Sequence, residues 1–414
     1  MLSFKKQLIT EAASKNTHMT HIEDLVLDGG VKGARQAILA LRALRDMLSG
    51  NAKVPVDVTV KWDGAPAIFA GLDPTDGQFF VAKKGIFNAN PKVYKSHEDI
   101  KADTSGDLTS KLIKAFDNLK GLGITGVVQG DFMFDKSDIK TETINGIKHI
   151  TFHPNTIVYA VPVGTPLAKE IQKADIGIVW HTGYDGATFE TMRAEFGKEI
   201  VPKLKKTSKV WQVDATLPDL SGTATMTAKE TEAVTKKLSE AGKIFKKIAS
   251  STLKEIESDE ELNLLINVYN NTKVRKIERI TNTTAHVKGM IDWVNERYNK
   301  QADKLTSVKG KAGVEAKRER VLKFFNKSNQ KKLKLVFDLQ NFIVDSKLII
   351  INKLNKLNNM GTFVKTKSGF KVTGVEGFVA IDRMEGGAVK LVDRLEFSTN
   401  NFSKDIIKGW DNPG

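Results

Sequence analysis

The chain has 414 residues, 40% of them hydrophobic and 27% charged, which is enough for two or three domains and a sizeable core. It has no cysteine, which excludes a disulfide framework, a thiolate metal site and a cysteine nucleophile. Its net charge of +15 points to a polyanionic partner, most often nucleic acid, and no apolar run is long enough to span a bilayer, so no membrane association is expected.

Met1-Leu2-Ser3-Phe4-Lys5-Lys6 lacks the apolar centre of a signal peptide, and with the absence of cysteine this fits a reducing cytoplasm. Thr20-His21-Ile22-Glu23 reads as a capping box. That reading explains His18, His21 and Glu23 better than a metal site does. A helix is expected from Glu23 to Leu48, interrupted at Gly29-Gly30, with Ile38, Leu41, Leu44 and Leu48 on its apolar face. Residues 1–55 are thus expected to form an N-terminal helical segment packed on the core.

Residues 56–226 are dominated by short strands. The run from Val56 to Val60 leads into Lys61-Trp62-Asp63-Gly64. Further strand patterns occur at Ala67–Ala70, Phe79–Ala82, Gly126–Gln129, Thr156–Tyr159 and Ile176–Trp180. A turn at Asp73-Pro74-Thr75-Asp76-Gly77 separates the first two of these, and a helix is expected from Leu108 to Leu119. The segment reads as α+β, mainly antiparallel. His149, His153 and His181 have no metal-ligand spacing, and there is no P-loop, which excludes a Walker-type NTPase.

Residues 227–360 change character. They contain no proline, and Val336, Leu339, Ile343, Ile350, Leu354 and Leu357 recur at helical spacing. Several helices packed as a separate bundle are expected. This stretch holds 28 Lys and Arg against 16 Asp and Glu, an excess of +12, whereas the rest of the chain carries only +3. The excess fits either a nucleic-acid surface or a solvated lysine-rich face. Strand patterning returns in residues 361–414. Gly374–Arg383 and Ala388–Phe397 flank Met384-Glu385-Gly386-Gly387 as a hairpin, so the strand domain reads as split by the helical insertion.

One ordered set of residues carries chemistry. It comprises Lys61-Trp62-Asp63-Gly64, Gly130-Asp131-Phe132, Glu376-Gly377-Phe378 and Val389-Lys390-Leu391. A lysine nucleophile must lose its proton from a reference pKa of about 10.4, and desolvation or nearby cations such as Lys390 or a bound metal favour the neutral amine. Asp63 would share a face with Lys61 if the strand continued, and Gly64 would let the backbone pass close to a phosphate.

This set resembles the covalent nucleotidyltransferase superfamily, which includes ATP-dependent DNA and RNA ligases and GTP-dependent mRNA capping enzymes. The overall look is closest to ligase-like proteins of tailed phages. Lys61-Trp62-Asp63-Gly64 matches the nucleotide-accepting motif. Lys84, in Val81-Ala82-Lys83-Lys84-Gly85, stands near the position where the family often has arginine. Asp131 replaces the family's usual glutamate, and Val392 stands where a second lysine is common. Glu376 matches the metal-binding glutamate, and Lys390 matches the lysine that contacts the α-phosphate.

The resemblance implies an antiparallel-sheet nucleotidyltransferase (ATP-grasp-like ligase) domain with a large α-helical insertion. It implies Lys61, Asp63 and Lys390 as catalytic residues. Val60, Lys61, Lys84, Asp131, Tyr159, Glu376 and Lys390 would bind nucleotide, with Tyr159 stacking on the purine and Trp180 its competitor. Glu376 and Asp131 would hold Mg2+ or Mn2+, with ATP as donor. The implied function is an ATP-dependent polynucleotide ligase working through lysyl-AMP and passing AMP to a 5′-phosphate end. Only 17 residues follow Phe397, too few for the C-terminal OB-fold of DNA ligases and capping enzymes, so RNA is expected ahead of DNA as the partner. A protein partner could also use the insertion. A phage-encoded chain would work in the host cytoplasm. Two alternatives are a GTP-dependent guanylyltransferase of the capping type and a non-catalytic nucleic-acid-binding protein on a ligase scaffold.

Overall fold

The computed structural model describes residues 19–51, 56–217, 225–357, 360–381 and 388–411. The fold is mixed α+β with predominantly antiparallel sheets. The first helices among the described residues are α1 (Leu25–Asp28) and α2 (Gly30–Leu48), divided at Gly29-Gly30 as expected. The capping box does not form. The N-cap is Asp24, without a side-chain cap, and Glu23 is turned into the interior instead. Gly33 explains the close packing of α1 on α2, because a Cβ there would lie 2.1 Å from the Leu25 carbonyl oxygen.

Three sheets follow. The largest surface is formed by β2 (Ala67–Leu72), β3 (Phe79–Ala82), β4 (Val127–Asp135), β8 (Ile176–Asp185), β9 (Arg193–Phe196) and β10 (Val210–Asp214). All its pairings are antiparallel except β10 with β8, which is parallel. One face is covered by α4 (Gly106–Leu119), which follows the short α3 (His97–Asp103). Leu112, Phe116 and Leu119 of α4 pack against Ile68, Phe132, Ile178 and Trp180. A second sheet contains β5 (Lys140–Ile144), β6 (Ile147–Phe152), β7 (Ile157–Pro162), β11 (Gly361–Thr366), β12 (Gly369–Val372) and β15 (Ile406–Ile407). The helix α5 (Pro166–Lys173) connects β7 to β8.

The third sheet is small and positions the chemistry. β1 (Asp57–Lys61) pairs with β13 (Gly377–Ile381), which pairs with β14 (Ala388–Leu391). On the far side of β14, Lys390 exchanges backbone hydrogen bonds with Thr20 (3.0 Å) and Ile22 (3.1 Å). The predicted turn at Met384–Gly387 lies outside the described residues. The predicted last strand is too long, because Asp393 accepts from the Leu395 and Glu396 N–H groups and caps the helix α12 (Arg394–Phe402).

The helical region comprises α6 (Ala228–Lys247), α7 (Ser250–Ser258), α8 (Glu260–Arg275), α9 (Thr283–Asp303), α10 (Val308–Phe324) and α11 (Lys327–Asn355). It is not a separate bundle. A single apolar core runs from Ile266, Leu339 and Ile343 through Leu41 and Leu44 of α2 to Val58, Phe378 and Leu391 of the small sheet. The N-terminal helices and the sheet therefore share the interior of the insertion. The spacing in residues 227–360 reveals one apolar face per helix but not the surface against which that face is buried.

Polar groups lock the junction. Lys347 of α11 is 1% exposed and donates to both carboxylate oxygens of Glu23, at 2.7 and 2.9 Å. Gln340, also on α11, donates to the Glu23 carbonyl (3.0 Å). Arg394 pairs with Asp24 at 3.0 and 3.1 Å and also reaches Asn271 of α8.

Candidate active site

The four chemistry-bearing segments converge, although they are spread from residue 61 to residue 390. Lys61 closes β1 opposite Gly377, and Val379 of β13 pairs with Lys390. The Lys61 ammonium reaches Glu376 Oε2 at 2.5 Å, with the lysine side chain 30% exposed. Asp131 on β4 faces the same group. Its carboxyl is pushed up to about 7 by burial, with Lys61 pulling it down and the Glu376 and Asp63 carboxylates pushing it further up. Burial likewise raises Glu376, against the pull of Lys61. Lys390 is lowered by burial and by the Lys61 ammonium. Lys84, which opens a short 3-10 turn after β3, acts electrostatically on both Asp131 and Lys390, so it belongs to the same cluster.

Two glycines make this approach sterically feasible. A Cβ on Gly64 would lie 2.5 Å from Asp131 Cβ and 3.0 Å from the Phe132 carbonyl oxygen. A Cβ on Gly377 would lie 2.7 Å from the Leu391 carbonyl oxygen. Gly64 thus lets the loop after Lys61 lie against β4, which differs from the phosphate-facing role expected of it. Gly64→Ala is expected to cost about 1–3 kcal/mol, as overpacking against backbone does, and thermal unfolding measures it. A Tm equal to that of the unaltered protein would show that the loop and β4 separate freely.

Asp63 does not act on a ligand in this arrangement. The strand ends at Lys61, and the Asp63 carboxylate turns inward. It accepts from Asn155 Nδ2 (2.7 Å) and from the backbone N–H groups of Thr156 (2.8 Å) and Ile157 (2.9 Å). Burial raises its pKa, and those hydrogen bonds oppose the shift. Asp63 therefore ties the loop after Lys61 to the β6–β7 connection. Tyr159 is also corrected. It is fully buried, its ring stacks on Trp62 (5.1 Å) and Phe152 (5.4 Å), and its hydroxyl accepts from the Asp63 N–H (2.8 Å). Trp180 is equally buried, in the core beneath α4, and donates to Gln212 (3.1 Å). Neither ring presents a face to a base. Val60 is a core residue whose N–H donates to the Ala215 carbonyl (2.8 Å).

His181 is the residue that sequence reasoning missed. The β4–β8 register runs Gln129 to Thr182 and then Gly130 to Trp180, so His181 is the extra residue of a bulge. The bulge aims His181 at the site. Its Nε2 lies 4.0 Å from Asp131 Oδ1, and its Nδ1 lies 2.7 Å from Thr182 Oγ1. Burial, aided by Lys61, lowers its pKa to about 4, so it is a neutral ring beside the ammonium. No spacing rule in the sequence marks a bulge of this kind.

Asp131 gives a pH prediction. Its folded pKa is raised, so its contribution to stability is present below the unfolded value and is lost as pH rises through about 7. The Tm of the unaltered protein is therefore expected to fall relative to that of Asp131→Asn as pH rises from about 4 to about 7 and to level off above that. Parallel Tm curves across that window would contradict the assignment.

A divalent metal fits the carboxylates in part. Asp131 and Glu376 both face Lys61, and Mg2+ commonly takes one or two carboxylates with phosphates and water completing its shell. No group of three metal-ligating side chains occurs among the described residues, so the protein alone does not form a closed cage. No helix among the described residues is long and apolar enough to cross a membrane. Neither a curated protein nor a solved structure matches the chain. Residues 16–406, nearly the full length, match the model of a family of unknown function (DUF6267), and the chain belongs to that family.

Proposed function

We propose that this protein is a covalent nucleotidyltransferase, an ATP-dependent polynucleotide ligase that uses Lys61 as nucleophile and RNA ends ahead of DNA ends as acceptors. The observation that carries the reading is the convergence of Lys61, Asp131, Glu376 and Lys390 from three separate stretches of chain, with Lys61 in direct contact with Glu376. Burying such a cluster of opposed charges for stability alone is costly, whereas a nucleophile beside a proton acceptor and a second cation suits phosphoryl chemistry.

In this reading the Lys61 ammonium gives its proton to Glu376 Oε2, and the freed amine pair attacks the α-phosphorus of ATP. The N–P bond forms as the bond from that phosphorus to the bridging oxygen breaks, and pyrophosphate leaves with the electron pair. Lys390 and Lys84 offset charge on the phosphates. A divalent ion held by Asp131 and Glu376 would supply further neutralisation of that charge. An oxygen of a 5′-phosphate end then attacks the same phosphorus, the N–P bond breaks as Lys61 takes its proton back from Glu376, and a neighbouring hydroxyl, losing its proton to solvent, bonds to the end phosphate as AMP leaves.

The test is incubation with Mg2+ and ATP, GTP or NAD, each labelled in the transferred nucleotide. A phosphoramidate label survives denaturing electrophoresis, resists alkali and is released by acid. Label from ATP supports the ligase reading. Label from GTP moves the assignment to capping-type guanylyl transfer. No label from any donor, with the protein folded, rejects the enzymatic reading in favour of a binding protein on this scaffold.

A further inference from the structure

The positive charge of the helical region is not evenly used. Arg318 pairs with Glu315 and donates to Asn299, Arg320 spans Asp259 and Glu261, Lys334 pairs with Asp338, and Lys347 is buried on Glu23. These cations serve internal contacts. Six others do not. Lys309, Lys311, Lys317, Lys323, Lys327 and Lys331 are all exposed, and no ion pair joins any of them to a carboxylate among the described residues.

Four lie on α10 and two on the first turns of α11, the helix that follows it directly. α10 buries only Val314, Val321 and Phe324 of its 17 residues, so nearly all of its surface faces solvent. Seventeen residues at 1.5 Å each give a basic ridge about 25 Å long. Lys309 and Lys323 are fourteen residues apart, close to four full turns, and so share one stripe of it. The Arg318–Asn299 and Arg320–Glu261 contacts hold α10 against α9 and α8, which makes the ridge a fixed surface.

We propose that this ridge binds the phosphate backbone of a nucleic acid, without reading its sequence. Unpaired lysines on a rigid rod are point charges that suit phosphates and carry no base information. Among the described residues of the ridge the large exposed apolar side chain is Val308, and no exposed aromatic ring offers a platform for stacking bases. The surface fits an extended polyanion better than a folded protein partner, which would need apolar area at its centre. This inference concerns a surface on the helical region and does not require Lys61 to be a nucleophile.

The experiment measures anisotropy of a fluorescent 30-nucleotide RNA strand, and of a DNA duplex of the same length, against the full chain from 50 to 200 mM salt. The six lysines are changed together to Gln, and nucleotide labelling of that variant is run beside the binding measurement. For the unaltered protein the duplex affinity is expected to fall about a thousandfold across this range, with a slope of log K against log salt near −5. The sextuple variant is expected to lose most of that slope, with an unchanged circular dichroism spectrum, and scrambled sequences are expected to bind equally. The sextuple variant is expected to take up nucleotide label as the unaltered protein does, so that failure of the catalytic reading is seen apart from failure of this one. An unchanged slope in the sextuple variant, a marked preference for one sequence, or absence of binding at 50 mM salt would each overturn the proposal.

Discussion

Lys61→Arg is expected to abolish covalent labelling while leaving the fold intact. Arginine stays protonated at any working pH, so it has no lone pair to offer a phosphorus, yet it keeps the positive charge that faces Glu376. Loss of a nucleophile typically costs roughly a thousandfold or more in rate, which would put the label at background. Lys61→Ala removes the proposed nucleophile too, but it leaves the raised Glu376 and Asp131 carboxyls without the Lys61 cation. The two variants therefore separate chemistry from electrostatics. Gel autoradiography after ATP incubation, beside circular dichroism, is the measurement. Persistent alkali-resistant label in Lys61→Arg would assign the nucleophile elsewhere.

The second large effect is on stability. Lys347→Ala is expected to destabilise the protein by about 3–5 kcal/mol, because it leaves the Glu23 carboxylate buried without its cation. Burial pushes Glu23 up, but the Lys347 ammonium and its hydrogen bonds hold the carboxyl below its ordinary value. A depressed carboxyl contributes stability that is present above the unfolded pKa and lost as pH falls through the folded one. Acid should accordingly weaken the unaltered protein more than the double variant Glu23→Leu/Lys347→Met, which replaces both charges with apolar groups and is expected to recover most of the loss. Urea denaturation of the three proteins at pH 7 and at acid pH tests this. A Lys347→Ala variant within 1 kcal/mol of the unaltered protein would show that the pair is solvated.

Much of the architecture was legible because burial leaves a local trace. β1, β2, β3, β7 and β8 follow apolar runs at the expected positions, and α4 follows its spacing. The convergence of Lys61, Asp131, Glu376 and Lys390 was anticipated from motif order alone. What could not be read was anything decided by long-range contact. Thr20-His21-Ile22-Glu23 has the residues of a capping box, but Lys347 competes for Glu23 from more than 300 positions away. Tyr159 looks like any strand aromatic, and whether it meets a base or Trp62 depends on the loop that Asp63 pulls inward. His181 acquires its direction from a register slip between two strands, a property of the pair and not of either one.

The pairing of Lys61 with Gly377 has a consequence for how the molecule is made. β1 emerges early in synthesis, but the strand that completes it comes more than 300 residues later, after every helix of the insertion. At about 5–20 residues per second the nascent chain would hold β1 as an unpaired edge for some fifteen seconds to a minute. Contacts of such sequence separation are entropically expensive to close and form late. The shared core offers a remedy, since α2 and the helical region can condense first and present Val58 to the arriving Phe378. The Lys61 site would then be assembled last, and an incomplete chain would carry Lys61 without the Glu376 carboxylate that pairs with it.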